Sequence, residues 1–199
     1  FSFLYFGDAQ NSILSFWSRI IRAAYKKAPH AAFSIHAGDL VNTAHKDREW
    51  AEWFKAGGWI HSSVPSIPVS GNHEYTNLKI DGVDKGKQLA IQWRSQFSLP
   101  PAGDLPDSLA ETVYTLTYQG ARIIALNSNR DIETQAKWLE QVLSKNTSKW
   151  TIVTMHHPMF SSGAGRDNAN NRKVLKPVID KYKVDLLLQG HDHTYARGH

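Results

Sequence analysis

Five times along the chain a short apolar run stops at a tight turn and hands over to a side chain able to hold a metal. The five clusters are Gly7-Asp8-Ala9-Gln10, Gly38-Asp39-Leu40-Val41-Asn42, Gly71-Asn72-His73-Glu74, Met155-His156-His157-Pro158 and Gly190-His191-Asp192-His193. Asp8, Asp39 and Asn72 follow one another at on the order of thirty residues, the length of one strand–helix–strand unit. Strands that alternate with helices in this way specify an α/β domain. In such domains, sites form at the carboxyl ends of parallel strands, which is where each cluster falls.

The rest of the chain fits that frame. Strands are expected over residues 2–6, 32–37, 66–70, 151–155 and 184–188. Asn11 or Ser12 can cap a helix whose apolar positions Ile13, Phe16, Trp17, Ile20, Ile21 and Ala24 keep helical spacing as far as Pro29. Further helices are expected over 47–56, with Trp50, Trp53 and Phe54 on one side, and over 133–143 and 173–182. Residues 112–118 and 121–126 read as a hairpin across Gln119-Gly120. Between residues 75 and 111 the periodicity weakens, and an irregular excursion with one helix around 87–97 is expected.

Composition removes several classes of function. The 199 residues are 41% hydrophobic and 21% charged, so the chain can bury a core and is not a disordered polymer. With 0 Cys there are no disulfides, thiolate nucleophiles or thiolate zinc sites. No apolar run reaches the roughly 18 residues of a membrane span. The net charge of +5 suits an anionic substrate. The densest basic patch, Arg172, Lys173, Lys176, Lys181 and Lys183, reads as a solvated helical face. No basic groove with interleaved aromatics is legible, which speaks against a nucleic acid partner. The chain begins at Phe1 inside a strand and ends at His199 directly after a motif, so residues 1–199 are expected to be one catalytic domain from a longer polypeptide. The sequence is silent on oligomeric state.

Imidazole, carboxylate and carboxamide donors without thiolate suit Zn, Mn, Fe, Co or Ni. Where a glycine precedes the ligand, as at Gly7, Gly38, Gly71 and Gly190, it lets the backbone turn sharply off its strand. In His191-x-His193, alternate residues can point to different metals or straddle one.

The ordered set GD…GDxx…GNHE…MHHP…GHxH resembles that of the calcineurin-like metallophosphoesterases. Its surroundings are most similar to purple acid phosphatases: Gly71-Asn72-His73-Glu74-Tyr75, Trp138-Leu139, the run from Thr151 to Pro158, and Lys183-Val184-Asp185 leading to Gly190-His191-Asp192-His193-Thr194-Tyr195-Ala196-Arg197. The resemblance implies a four-layer α-β-β-α fold with two packed mixed sheets, here lacking the family's last strands, and a dinuclear metal centre at the sheet edge. It further implies that Asp39 bridges both metals, that Asp8 and His193 bind the first, and that Asn72, His156 and His191 bind the second. His73 stabilises the transition state or protonates the leaving group. The implied reaction is hydrolysis of small phosphate esters, monoesters in preference to diesters or nucleotides, by direct attack of a metal-bridging hydroxide. A non-catalytic binding module that kept its metals is the rival from another class. The same resemblance points to a secreted or periplasmic protein.

The sequence departs from the family at two ligand positions. Asn42 stands where purple acid phosphatases carry the metal-binding Tyr, and Gln10 where they carry Gly. Gln10 is therefore expected to replace the missing ligand on the first metal, with Asn42 as the alternative. A ferric–divalent pair with two carboxylates and one phenolate has the same net charge as two divalent ions with Asp8 and Asp39 alone. Two divalent ions (Zn, Mn or Fe) in a colourless centre are thus expected. No extra His lies between Pro158 and Leu188; Arg166, Asn168 and Asn170 are the polar candidates there, with His157 a spare imidazole. Glu74 is expected to orient His73, and His36 to be a hydrogen-bonded core residue. His30, His45 and His61 are expected at the surface, and Trp59 is read as core.

Overall fold

The computed structural model describes residues 1–198; His199, the last residue of the expected 1–199 domain, lies outside them. Two sheets stack face to face between two layers of helices. The first sheet holds three parallel strands, β1 (Leu4–Phe6), β2 (Ser34–His36) and β3 (Ser66–Pro68), in that order. Helix α1 (Trp17–Lys27) connects β1 to β2, and α2 (Asp47–Gly57) with α3 (Trp59–Ser63) connects β2 to β3. A hairpin, β4 (Tyr75–Ile80) and β5 (Val83–Leu89), and the short α4 (Ile91–Gln96) follow. The second sheet is mixed and four-stranded: β6 (Tyr114–Tyr118) pairs antiparallel with β7 (Ala121–Ala125), and β8 (Trp150–Thr154) and β9 (Leu186–Leu188) add in parallel. Helices α5 (Ile132–Ser144) and α6 (Ala169–Lys181) make those two crossovers.

Alternation along the strands builds three apolar layers. Phe33, Ile35, Ile67 and Val69 of the first sheet meet Tyr114, Ile123, Ala125 and Ile152 of the second. The opposite face of the first sheet carries Leu4 and Phe6 against Trp17, Ile21, Trp50, Trp53 and Ile60. On the far side, Ile124 and Val153 meet Leu139, Leu143, Leu175 and Ile179. Tyr114 ties the sheets together by donating its hydroxyl to Pro68 O at 2.6 Å.

Several local expectations are corrected. Residues 75–89 form a two-stranded ribbon, not an irregular excursion. Its turn, Asp81-Gly82, has both residues at positive φ (50° and 78°), the geometry that an Asp-Gly hairpin turn requires. The first helix starts at Trp17, five residues after Ser12, and its core stripe is Ile13, Trp17 and Ile21. Phe16 and Ile20 are 60% and 56% exposed. Trp59 is 54% exposed and packs edge-on against Tyr25 at the surface. His61 is no surface residue: its ring stacks on Trp53 at 4.1 Å between centroids.

His36 is a core residue as expected, 2.9 Å from Ser34 Oγ. Burial, with the nearby His61, pushes its pKa down to about 3, and burial takes His61 down to about 4. Both rings stay neutral in the fold while an unfolded chain protonates them below pH 6.5. Their contribution is therefore intact above pH 6.5 and is lost as the pH falls towards 4. Each group costs about 1.4 kcal/mol per pH unit across that window. Denaturant unfolding should show about 3 kcal/mol less stability at pH 5 than at pH 6.5, and the difference should shrink in His36→Gln/His61→Gln. An equal pH slope in both chains would contradict this reading.

Candidate metal centre

All five clusters lie where parallel strands end. Asp8 follows β1, Asp39 follows β2, Asn72 follows β3, His156 follows β8 and His191 follows β9. Loop-to-loop hydrogen bonds hold them together: Asp8 N donates to Gly38 O at 3.2 Å, and Gly190 N donates to His156 O at 2.9 Å. Asp8, Asp39, His191 and His193 all have positive φ (54°, 51°, 77° and 52°). For residues with a Cβ this is a costly backbone state that surrounding structure must enforce, and such states gather at functional sites.

The side chains converge on one small volume. His156 Nε2 lies 3.1 Å from Asp39 Oδ2, 3.1 Å from Asn72 Oδ1 and 3.2 Å from His191 Nδ1. Candidate ligand atoms of Asp8, Asp39 and His156 lie within 4.8 Å of one another. His193 Nε2 approaches Asp8 Oδ1 at 3.5 Å, so the two histidines of the last motif point to different sides of the cluster. His156 Nδ1 donates to Ala37 O at 2.8 Å, which leaves the Nε2 lone pair facing the acidic groups. Burial opposes charge on His156, but the Asp39 contact outweighs it and raises its pKa. Burial likewise opposes charge on Asp39, which the His156 contact overcomes, and burial raises Asp8. Two buried carboxylates facing imidazole lone pairs form an anionic cradle that suits divalent cations.

Gln10 belongs to this cluster. It is 5% exposed, its Nε2 is 3.1 Å from His73 Nε2, and its Oε1 is buried without a partner among the described residues. An orphaned carboxamide oxygen on a residue in contact with His73 fits the role of a further oxygen ligand. Asn42, the alternative, is corrected: its side chain is exposed and reaches only Thr43 Oγ1. Its carbonyl matters instead, because it accepts from His73 Nδ1 at 2.7 Å and so fixes that ring. His73 Nε2 is left towards the cluster, 4.0 Å from Asp39 Oδ2.

Two features of the cradle go beyond turn geometry. A Cβ on Gly71, whose φ of −92° is ordinary, would lie 2.2 Å from Asp39 Oδ1. One on Gly38 would lie 2.5 Å from His156 Nδ1, so these glycines make room for the neighbouring motif. Glu74 does not orient His73 as expected. Fully buried, it accepts from Gly71 N (2.6 Å), Asp39 N (2.9 Å) and Leu40 N (2.9 Å), clamping the Asp39 loop to the Asn72 loop. Burial, with the Asp39 charge, raises the Glu74 carboxyl to about 8, against the pull of the Gly71 and Asp39 amides.

The remaining candidates separate cleanly. His157 packs on His191 at 4.5 Å between centroids, with Nδ1 2.9 Å from Ser128 Oγ. Ser128 Oγ also accepts from His157 N, so its own proton goes to Nδ1 and the ring presents Nε2–H. Burial, with the neighbouring His156, holds His157 neutral, down to about 3. Arg166 donates to His191 O, and Asn168 to Pro158 O and Arg166 O, so both brace the loops; Asn170 is exposed. His45 is exposed as expected and meets Thr76 of the β4–β5 ribbon. Arg172, Lys176 and Lys181 are paired with Asp167, Asp180 and Glu140, as a solvated helical face should be. Among the described residues no helix is long and apolar enough to cross a membrane.

This arrangement of candidate metal-holding residues at strand ends defines a class. Residues 1–195 match the sequence profile of the calcineurin-like phosphoesterases, and the chain belongs to that family. It is 28% identical over 191 residues to an uncharacterized protein of Mycobacterium tuberculosis, covering 84% of this chain and 35% of that one. It is 30% identical over 166 residues to Fe(3+)-Zn(2+) purple acid phosphatase 12 of Arabidopsis thaliana, covering 77% of this chain and 33% of the relative. Purple acid phosphatase from yellow lupin seeds has the same fold, with a TM-score of 0.77 at 20% identity over 94% of this chain and 37% of that one. The chain thus spans about a third of the length of these relatives.

Proposed function

We propose that this chain is the hydrolytic domain of a metal-dependent phosphoesterase acting on small phosphate esters, monoesters by preference. The observation that carries the reading is the convergence of Asp8, Asp39, Asn72, His156, His191 and His193 at the ends of five parallel strands. Asp39 sits between the two halves of the cluster and is assigned to both metals. Asp8, His193 and Gln10 are assigned to the first, and Asn72, His156 and His191 to the second. Two divalent cations held there supply Lewis acidity, acidifying water for attack on phosphorus and offsetting phosphoryl charge.

The chain's own residues do the rest. His73, its ring fixed by donation from Nδ1 to Asn42 O, turns Nε2 towards the cluster and, as the imidazolium, donates from it to the departing oxygen. His157 presents a neutral Nε2–H beside His191 for a phosphoryl oxygen. Asn42 stands where purple acid phosphatases carry the metal-binding Tyr, and two divalent ions with two aspartates keep the net charge of a ferric–divalent pair with a phenolate. Zn, Mn and divalent Fe are the proposed metals, in a centre without a visible charge-transfer band.

Phosphate release from a monoester and a diester panel by the metal-loaded protein tests the reading. Turnover of monoesters is expected to be the faster; preference for diesters would move the assignment within the family's chemistry, and no turnover with any metal would overturn it. His73→Ala is expected to keep its metal and lose about 10²–10⁴ in kcat, the scale of a removed acid. Loss of metal together with rate would make His73 a ligand instead. Gln10→Ala is expected to weaken retention of one of two metal equivalents about tenfold, the low end of what supporting groups of a metal site contribute. Two equivalents retained as tightly as in the parent would remove Gln10 from the ligand set.

A further inference from the structure

A second cleft, of about 560 Å³, lies between α5 and the 102–105 loop. It is remote from the metal cluster. Arg122, on its wall, stands near the start of β7, paired in register with Thr151 at the start of β8, whereas the cluster lies past the strands' carboxyl ends. Three cations line the cleft, Arg122, Lys137 and Lys145, with Asp104 the one acidic residue. Seven of the 23 Lys and Arg residues are held in ion pairs, at Lys46, Arg48, Arg94, Arg130, Arg172, Lys176 and Lys181. Among the described residues these three have no ion-pair partner, and Arg122 Nε is buried without a hydrogen-bond acceptor. A buried donor of this kind calls for an acceptor from outside the chain.

The spacing of the charges selects the shape of the ligand. Lys137, Gln141 and Lys145 follow one another on one face of α5, and eight residues of helix rise about 12 Å. Three facing cations call for several negative charges, and an extended anion meets the two lysines and Arg122 together. Trp138 lines the cleft but is buried, its Nε1 donating to Ala102 O at 2.7 Å, so it leaves no free face for a nucleobase. We propose that this cleft binds a linear, multiply charged phosphate anion of the polyphosphate type, at a site separate from the metal centre.

Calorimetric titration of tripolyphosphate into the full chain carrying Asp39→Asn tests this, turnover heat being removed by that change. One saturable site is expected, weakened at least tenfold by Lys137→Gln/Lys145→Gln, which alters only exposed helix positions, and by Arg122→Gln separately. Orthophosphate is expected to bind at least tenfold more weakly than tripolyphosphate. Lys26→Gln/Lys27→Gln, which removes equal charge from α1, is expected to leave the affinity within twofold. No saturable heat, an affinity unmoved by the α5 lysine pair, or an equal loss from the α1 pair would overturn the proposal.

Discussion

Asp39→Asn is expected to leave a folded protein that no longer turns over phosphate esters. The substitution keeps Oδ1, which accepts from His73 N at 2.9 Å, so the local hydrogen bonding survives. What it removes is the negative charge facing His156 Nε2 at 3.1 Å and the oxygen assigned to both metals. Loss of a group that organises charge in the transition state costs on the order of 10³ in rate, and here metal retention falls with it. We therefore expect kcat/KM to drop about a thousandfold or more, with unfolding free energy within about 1 kcal/mol of the parent. A metal-loaded Asp39→Asn protein within tenfold of parental turnover would contradict the assignment.

Glu74→Ala is expected to fail differently, through the fold. Gly71 N, Asp39 N and Leu40 N would each lose an acceptor at a side chain that is 0% exposed. Unsatisfied buried donors cost about 1–3 kcal/mol each. Partial relaxation of the two loops leaves an expected loss of about 3–5 kcal/mol, the scale of two or three unsatisfied buried donors. Glu74→Gln retains one acceptor oxygen and should lose less. Chemical denaturation of the three chains checks the ranking, and an alanine variant within 1 kcal/mol of the parent would show that Glu74 is not the brace between the two loops.

The contrast between these two acidic residues explains what was legible in the sequence. Asp39 announces itself because a strand, a glycine and a side chain able to hold a metal recur with the same logic at Asp8, Asn72 and His191. Glu74 carries no such signal: beside Gly71 N, its partners are backbone amides of residues 34 or 35 positions earlier, and only the packing of two loops reveals them. The same applies to Asn42, whose side chain attracted the sequence argument while its carbonyl does the positioning. Ser128, which sets the tautomer of His157, lies in no motif. The strand positions were readable from short apolar runs that end at turns, and the hairpin across Gln119-Gly120 from its turn. The equivalent Asp81-Gly82 signal was overlooked because the flanking strands are exposed and polar, so no hydrophobic alternation marked them. Trp59 and His61 exchanged their expected environments because Gly57-Gly58 ends α2 and redirects the chain into α3, which points the histidine inward onto Trp53.

The central claim is that this cluster is a two-metal centre built without a phenolate. Elemental analysis of the purified chain, read beside its visible absorption spectrum, tests it most directly. The account predicts about two equivalents of divalent Zn, Mn or Fe per chain and no charge-transfer band. A chain that retains no metal after reconstitution with each of these ions, or one that is coloured by a ferric phenolate, would contradict it.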